Sequence, residues 1–348
     1  MKHFWQILCS LVLVWLAVLV CIGAAAEEYD ATKYERVGGR SLKELRLALA
    51  ELPDGTHVNM RGVRMELADR AALVQEFPTL IFHGDVNFAN MVVSTEETEL
   101  DLDALSQKKL SLSKLRNALI CLPNVRRVRM YNQSYSVKEV EALMADFPNI
   151  TFEWTVRFGK YGVRTDVTAF STLKGRQKPR YTLKDLEPLK YCKDLLALDF
   201  GHQNVSDLSF LTQWPHLKVL IVVDSAKHIT DLTPLAQLTE LEYVELFMQN
   251  ITDLTPLANH THLVDLNLCH NHISDLTPLY SCTSLKRLWI SYNEELSMEQ
   301  IEAFQKALPD CQVEYQVYSS TGAGWRKHSH YDTIKTLFET RVYQPFSD

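Results

Sequence analysis

Glycine and proline are scarce, 12 of each in 348 residues. That excludes collagen-like chains and Pro/Gly-rich disordered ones. Positive charge is in deficit: 36 Lys and Arg face 43 Asp and Glu, a net charge of −7. No excess positive field is available to release counterions from phosphates, so a general nucleic-acid binder is excluded. Cysteine is sparse. Of seven, Cys9 and Cys21 lie in an apolar N-terminal stretch, which leaves Cys121, Cys192, Cys269, Cys282 and Cys311. An odd, scattered set is a poor disulfide framework, and without a C-x-x-C pair a zinc ribbon is not expected. No Gly-rich phosphate loop, Ser-His-Asp order or Cys-His pair stands in a recognisable context. No catalytic residue, metal ligand or cofactor is therefore assigned, and the chain is not read as an enzyme. What is abundant is apolar material, 46% of residues against 23% charged, enough for a large core.

The one long hydrophobic run is at the start. Lys2 precedes an almost continuous apolar stretch from Phe4 to Ile22, followed by Ala24-Ala25-Ala26 and then Glu27-Glu28. A charged start, an apolar run and a small-residue site make a secretory signal, expected to be cleaved after Ala26. An uncleaved anchor is the alternative, since about 19 apolar residues nearly suffice to span a bilayer. Residues 4–22 are the only membrane contact this reading allows. The expected location is secreted or in a cell envelope.

Internal repeats decide the architecture. Asp-Leu-x-x-Leu begins at Asp185, Asp207, Asp231, Asp253 and Asp275, at spacings of 22, 24, 22 and 22 residues. Between these lies Leu-x-x-Leu-x-Leu-x-x-Asn, cleanest at Leu263 to Asn271, with looser copies from Leu195, Leu217, Leu241 and Leu285. A low-twenties period with this spacing is the leucine-rich repeat signature. The fourth and sixth positions of each strand should point inward and the residues between them outward. Gln203, Gln249, Asn271 and Asn293 should form a polar ladder where the chain leaves each strand. Each Asp should cap the short turn on the outer side, where Pro loses nothing by lacking an N–H. One coil cannot bury its apolar edge alone, so coils must stack. Cys192 and Cys282 fall where another coil has Leu238, as small buried residues.

A longer repeat lies upstream. Leu45 to Pro53 matches Leu115 to Pro123 at an offset of 70 residues, which also carries Val58 and Met60 onto Val128 and Met130, and Phe77-Pro78 onto Phe147-Pro148. Each copy reads helix, Leu-Pro stop, strand, helix, Phe-Pro stop, strand. A half-copy returns at Met298 to Gln312, parallel to Val137 to Thr151. The expected fold class is α/β, one continuous leucine-rich repeat solenoid with a curved parallel sheet and helices and turns on its convex side. Its parts are residues 1–26 (signal or anchor), 27–170 (helix-containing units), 171–296 (compact repeats) and 297–348 (cap and tail). After a Ser/Gly-rich linker from Tyr318 to Gly324, Trp325, Tyr331, Ile334, Leu337 and Phe338 predict a short amphipathic helix. It either folds back as part of the cap or docks a partner.

Residues 185–293 resemble the internalin-type class of exported bacterial leucine-rich repeat proteins. Ile251-Thr252-Asp253-Leu254-Thr255-Pro256-Leu257, Ile273-Ser274-Asp275-Leu276-Thr277-Pro278-Leu279 and the 22-residue period carry the likeness. The resemblance implies a non-catalytic protein-recognition module, secreted or displayed on a bacterial surface, with a curved strand-lined binding face. The chain departs from that class in the 70-residue units in front and in lacking a Leu-Pro-x-Thr-Gly wall signal.

The outward strand positions name the candidate site. Val219, Ile221, Val223, Tyr243, Phe247 and Met248 lie side by side on strands about 4.8 Å apart and make one apolar patch. Glu245, Asp265, Trp289 and Tyr292 complete the predicted partner-binding set. A contiguous patch rich in aromatics and Met marks an interaction site. The expected partner is a protein or peptide. A glycan, a carbohydrate-active role and self-association of a structural envelope protein are the alternatives, as is cover of the patch by the tail or by a second copy. Asp199 and Glu245 stand about 9.6 Å apart, close to an inverting-glycosidase spacing. Ile221 between them and an open face leave no water-excluding pocket, so both are expected as solvated rim charges. His260 should point to the core and His270 to the strand face, which makes a shared metal ion geometrically hard.

Overall fold

The computed structural model describes residues 27–105, 109–158, 161–172 and 180–346; the signal-like stretch 1–26 lies outside them. The chain divides into two compact units, residues 1–154 and 155–348. Among the described residues no helix is long and apolar enough to cross a membrane.

In the first unit one α/β pattern occurs twice. The first copy runs β1 (Glu28–Asp30), β2 (Arg36–Val37), α1 (Arg40–Ala50), β3 (His57–Asn59), β4 (Arg64–Met65), α2 (Leu67–Glu76) and β5 (Ile81–His83). Strands β1, β3 and β5 pair in parallel, as do β2 and β4. A hairpin follows, β6 (Asp85–Phe88) and β7 (Met91–Ser94). Its turn residues Ala89 and Asn90 both have positive φ, as a type I′ turn requires. The second copy runs β8 (Glu99–Asp101), α3 (Leu112–Cys121), β9 (Arg127–Met130), α4 (Val137–Asp146) and β10 (Thr151–Phe158). The 70-residue offset survives in the strand register: His57 pairs Ile81 in the first copy and Arg127 pairs Thr151 in the second. Proline sets the helix stops. Phe77, Leu122 and Phe147, each before a Pro, sit at φ −118 to −131 and ψ 66 to 70, because the following ring excludes helical ψ. Helix α4 opens with a capping box: Glu139 N–H donates to Ser136 Oγ, and Ser136 N–H donates to Glu139 Oε2 at 2.7 Å.

In the second unit the latter half of β10 forms an antiparallel pair with β11 (Tyr161–Arg164). Then come β12 (Ala169–Ser171), α5 (Leu183–Leu186), β13 (Ala197–Asp199), β14 (Val219–Ile221), β15 (Tyr243–Glu245), β16 (Asp265–Asn267), β17 (Arg287–Trp289), α6 (Met298–Ala307), β18 (Gln312–Glu314) and α7 (Ser329–Thr340). Strands β12 to β18 form one seven-stranded parallel sheet in chain order. Its register lines up Ala169, Ala197, Val219, Tyr243, Asp265, Arg287 and Gln312. This is the leucine-rich repeat stack expected from the 22-residue period. Leu198, Leu220, Val244, Leu266 and Leu288 form one fully buried row, and Phe200, Val222, Leu246, Leu268 and Ile290 the next.

The polar ladder is present. Asn271 accepts from Ile251 N–H at 3.0 Å, and its amide donates to the carbonyls of Leu246 and Leu268, both at 3.0 Å. Asn293 repeats the pattern with Ile273, Leu268 and Ile290. Gln249 does so with Ile229 and Val222. The residue before each rung (His202, Met248, His270, Tyr292) is left-handed, with φ from 54 to 60, which turns the chain out of the strand. In the 24-residue coil the rung is Ser225, whose buried hydroxyl finds no partner; its side chain is too short for the ladder, and the two extra residues fall there. On the opposite side Asp207, Asp231, Asp253 and Asp275 each accept from the N–H two residues on, at 2.7–2.8 Å. The five cysteines are buried free thiols.

Asn271→Ala leaves the Ile251 N–H and the Leu246 carbonyl without their side-chain partner in a buried layer and should cost about 2–4 kcal/mol, whereas Asp253→Ala, at an exposed turn, should cost about 0.5–1 kcal/mol. Urea unfolding of the two variants measures both, and equal losses would show that the ladder does not hold the stack.

Candidate functional site

The outward side chains of the sheet form rows that run across the strands. The first reads Ala169, Ala197, Val219, Tyr243, Asp265 and Arg287; the second reads Ser171, Asp199, Ile221, Glu245, Asn267 and Trp289. Apart from Asp199, small and apolar residues occupy β12 to β14, and polar and aromatic ones β15 to β17. Such a surface has one half shaped for bulk and another for hydrogen bonding.

The chain's own tail lies on it. Residues Val317, Trp325, Ile334 and Leu337 join Val219, Ile221, Val223, Tyr243, Phe247 and Trp289 in one buried cluster, with Tyr331, Phe338, Tyr343 and Phe346 packed against it. The Trp325 ring, fully buried, sits 5.5 Å from Tyr243 and 5.0 Å from Trp289. Its indole N–H donates to Glu245 Oε1 at 2.9 Å. The Tyr243 hydroxyl donates to the same oxygen, and Arg326 lies 3.4 Å from Oε2. Asp265 takes a bidentate bond from Arg287 at 2.6 and 2.7 Å and a third contact from His330 Nδ1 at 2.6 Å. The Arg287 guanidinium also stacks 4.6 Å from the Trp325 ring. Backbone carbonyls of the tail accept from Asn267 (Ser320 O, 2.7 Å) and from the Trp289 indole (Gly322 O, 3.0 Å). At its far end Arg341 O accepts from Ala169 N–H, and Tyr343 OH donates to Glu242.

The predicted site residues are thus brought together, but as a covered surface. The free apolar patch expected from the strand pattern is corrected: Val219, Ile221, Val223, Tyr243, Phe247 and Trp289 are buried, because about thirty residues of tail bring enough apolar and aromatic surface to displace water from them. Met248 and Tyr292 stay exposed, at 41% and 46%. The acidic rim is corrected as well. Asp199, Glu245 and Asp265 are buried: the tail supplies partners to Glu245 and Asp265 that water would otherwise provide, while Asp199 is held by Gly201 N–H and the Ser171 hydroxyl. His260 lies in the core with Nε2 3.1 Å from the Leu235 carbonyl, while His270 stacks on Tyr292. Among the described residues no group of three or more His, Cys, Asp or Glu is arranged to hold a metal ion.

Part of the strand face remains open. A cavity of about 390 Å³ lies between β12 to β14 and α7, with Asp199, Ile221 and Val223 on one side and Tyr331, Ile334 and Phe338 on the other. It contains Asp199 but not Glu245, which Tyr243, Trp325 and Arg326 enclose; the two carboxylates do not share a pocket. Burial pushes the Asp199 carboxyl up to about 7, against hydrogen bonds from Gly201 N–H (3.0 Å) and the Ser171 hydroxyl (2.8 Å). Burial pushes the Asp265 carboxyl the same way, but its bonds to Arg287 and His330 outweigh this and hold it below the usual carboxylate range. Burial and the adjacent Glu245 raise the Tyr243 phenol well above its ordinary value, so it remains a donor.

Sequence reasoning did not assign Asn267, Arg287, Trp325, Arg326 or His330. A signal was present: Asp265 and Arg287 occupy the same repeat position in adjacent coils, which predicts a pair in contact. The density of Trp, Tyr and Phe after residue 324 was the other.

Residues 261–306 match the family model described as Leucine Rich repeats (2 copies). No curated protein matches the chain in sequence. Among solved structures, internalin C2 from Listeria monocytogenes str. 4b F2365 is 20% identical, over 47% of this chain and 80% of that one, with a TM-score of 0.32. A second internalin (inlF) from the same strain is 17% identical, covering 76% and 77%, at 0.31. A leucine-rich repeat protein of Leptospira interrogans is 16% identical, covering 74% and 72%, at 0.33. At these scores overall shape carries no argument, and the fold assignment rests on the repeat register.

Asp199 also governs a pH dependence. Burial raises its carboxyl to about 7 in the fold from an ordinary 3.8, so folding is favoured at low pH and is penalised progressively as pH rises from about 4 through 7. Asn267, three strands on in the same row, makes the same bond to the N–H two residues ahead, at 3.2 Å, so an amide fits the position. Asp199→Asn should therefore raise the melting temperature by several degrees at about pH 8, on the order of a few kcal/mol, and by much less at about pH 5. A gain independent of pH in calorimetric scans would contradict the assignment.

Proposed function

We propose that this leucine-rich repeat protein is an exported, non-catalytic recognition module whose strand face grips a protein segment, and that residues 317–346 are the occupant it carries in cis. One observation supports this above the rest: the polar groups on the face match the tail group by group. Glu245 meets an indole N–H and a guanidinium, Asp265 meets an imidazole, and Asn267 and Trp289 meet backbone carbonyls. A face built only for the solvent side of a solenoid has no use for a buried Asp–Arg pair and two aromatic rings at its centre. A desolvated indole anchor beside a guanidinium, surrounded by polar contacts, has the composition of a binding hot spot. On this reading the partner is a peptide or protein segment with an aromatic anchor beside a basic residue, and it takes the place of the tail. Val219, Ile221, Val223, Tyr243, Glu245, Phe247, Asp265 and Trp289 form the contact surface, with Met248 and Tyr292 at its free edge. Export is proposed on the sequence of residues 1–26 alone.

The experiment is exchange of the tail. In the full chain, Trp325→Ala with Arg326→Ala removes the anchor and loosens the tail. A labelled synthetic peptide of residues 317–346 is then added and binding followed by fluorescence anisotropy. The double variant should bind the peptide at least about tenfold more tightly than the wild type, whose face is occupied. If a folded double variant binds it no better, the tail is a fixed cap and the recognition reading fails.

A further inference from the structure

The open end of the strand face has a chemistry of its own. The cavity beside α7 holds about 390 Å³, within the range of small-ligand sites, and Ile221, Val223, Ile334 and Phe338 give it apolar walls. Its floor is a buried carboxylate. Asp199 Oδ1 accepts from Gly201 N–H at 3.0 Å and Oδ2 from the Ser171 hydroxyl at 2.8 Å, which leaves each oxygen one further acceptor direction. Among the described residues, no Lys, Arg or His lies within ion-pair distance of it. Among the described residues the basic side chains at the cavity's edge are engaged elsewhere, His202 with Asp224 at 2.9 Å. Arg326 contacts Glu245 and the Tyr331 hydroxyl, Lys335 pairs with Asp332 at 2.6 Å, and Arg341 donates to the Gly162 carbonyl. Gly201 keeps the floor clear: a Cβ there would come within 2.7 Å of Val223 Cγ2 and 3.4 Å of Asp199 Oδ1.

A buried carboxylate with spare acceptor capacity and, among the described residues, no cation bonded to it is unfavourable in isolation. The ligand that gains most from such a floor carries a positive charge at the end of a short apolar stem. We propose that this cavity binds an alkylammonium group, which pairs with Asp199 while its stem packs between Ile221, Val223, Ile334 and Phe338. The group comes either from a free amine or from a lysine side chain on a peptide. Helix α7 supplies one wall of the site, while its floor lies apart from the tail's polar contacts: among the described residues Asp199 bonds to Gly201 and Ser171.

Isothermal titration of the full chain at about pH 8 tests this with three probes. Cadaverine stands for a free amine, Nα-acetyl-lysine N-methylamide for a lysine in a peptide, and 1-pentanol for the same stem without charge. At least one amine should bind saturably to the wild type, and Asp199→Asn, which Asn267 shows to be compatible with the fold, should weaken it at least tenfold. Preference for cadaverine assigns a free amine, and preference for the lysine derivative assigns a peptide side chain. The proposal is overturned if neither amine binds, if pentanol binds as well as the amines, or if Asp199→Asn leaves amine binding unchanged in a protein with native circular dichroism. Failure here leaves the tail-exchange result untouched.

Discussion

Each coil of the second unit has an apolar edge that only another coil of the same register can hide. Leu198, Leu220, Val244, Leu266 and Leu288 are fully buried because β13 to β17 pair residue for residue in one direction. A shift of one residue would turn the leucines outward and bring the Asp, Glu and Arg of the outer rows into the core. The ladder of Gln249, Asn271 and Asn293 opposes such a shift, because each amide bonds to the coil before it, and Asn271 and Asn293 to their own coil as well. Register is the constraint from which the rest follows, including the alignment of the outer residues into rows.

Those rows determine what the face can hold. At β12 and β13 the first row has Ala169 and Ala197, both buried in the cluster that the tail joins. At β15 to β17 it has Tyr243, Asp265 and Arg287, and the second row Glu245, Asn267 and Trp289. The tail crosses both regions. Trp325, Arg326 and His330 meet the polar half, while Ile334 and Leu337 run toward the small-residue half. Charges that would be costly to bury singly become tolerable as a network: Asp265 is held by Arg287 and His330 together. Asp199 lies outside that network, and on its carboxyl burial outweighs the bonds from Gly201 N–H and the Ser171 hydroxyl.

Much of the architecture could be read directly. The period of 22 residues located the strands and turns, the 70-residue offset reappears in the pairing of β3 with β5 and of β9 with β10, and each Pro stop ends its helix where expected. The outward direction of Val219, Ile221, Tyr243 and Phe247 was legible from strand alternation, and so was the amphipathic character of Ser329–Thr340. Their meeting was not. Trp325 and Glu245 are 80 residues apart, and His330 and Asp265 are 65 apart; no periodicity connects a tail to the coils it covers. Asp199 and Glu245 were therefore read as solvated, although both are buried.

By itself the sequence determined what repeats: strand direction, inward and outward faces, the ladder, the turn caps and the helix stops. These depend on neighbours a fixed number of residues away, and periodicity records such neighbours. Only the tertiary structure decided where the non-repeating segment 317–346 rests, which of the outer residues it removes from water, and that Asp199 is left on the floor of a cavity. Those outcomes depend on contacts made once, between groups far apart along the chain, whose closeness is set by packing and by loop closure, not by any local pattern.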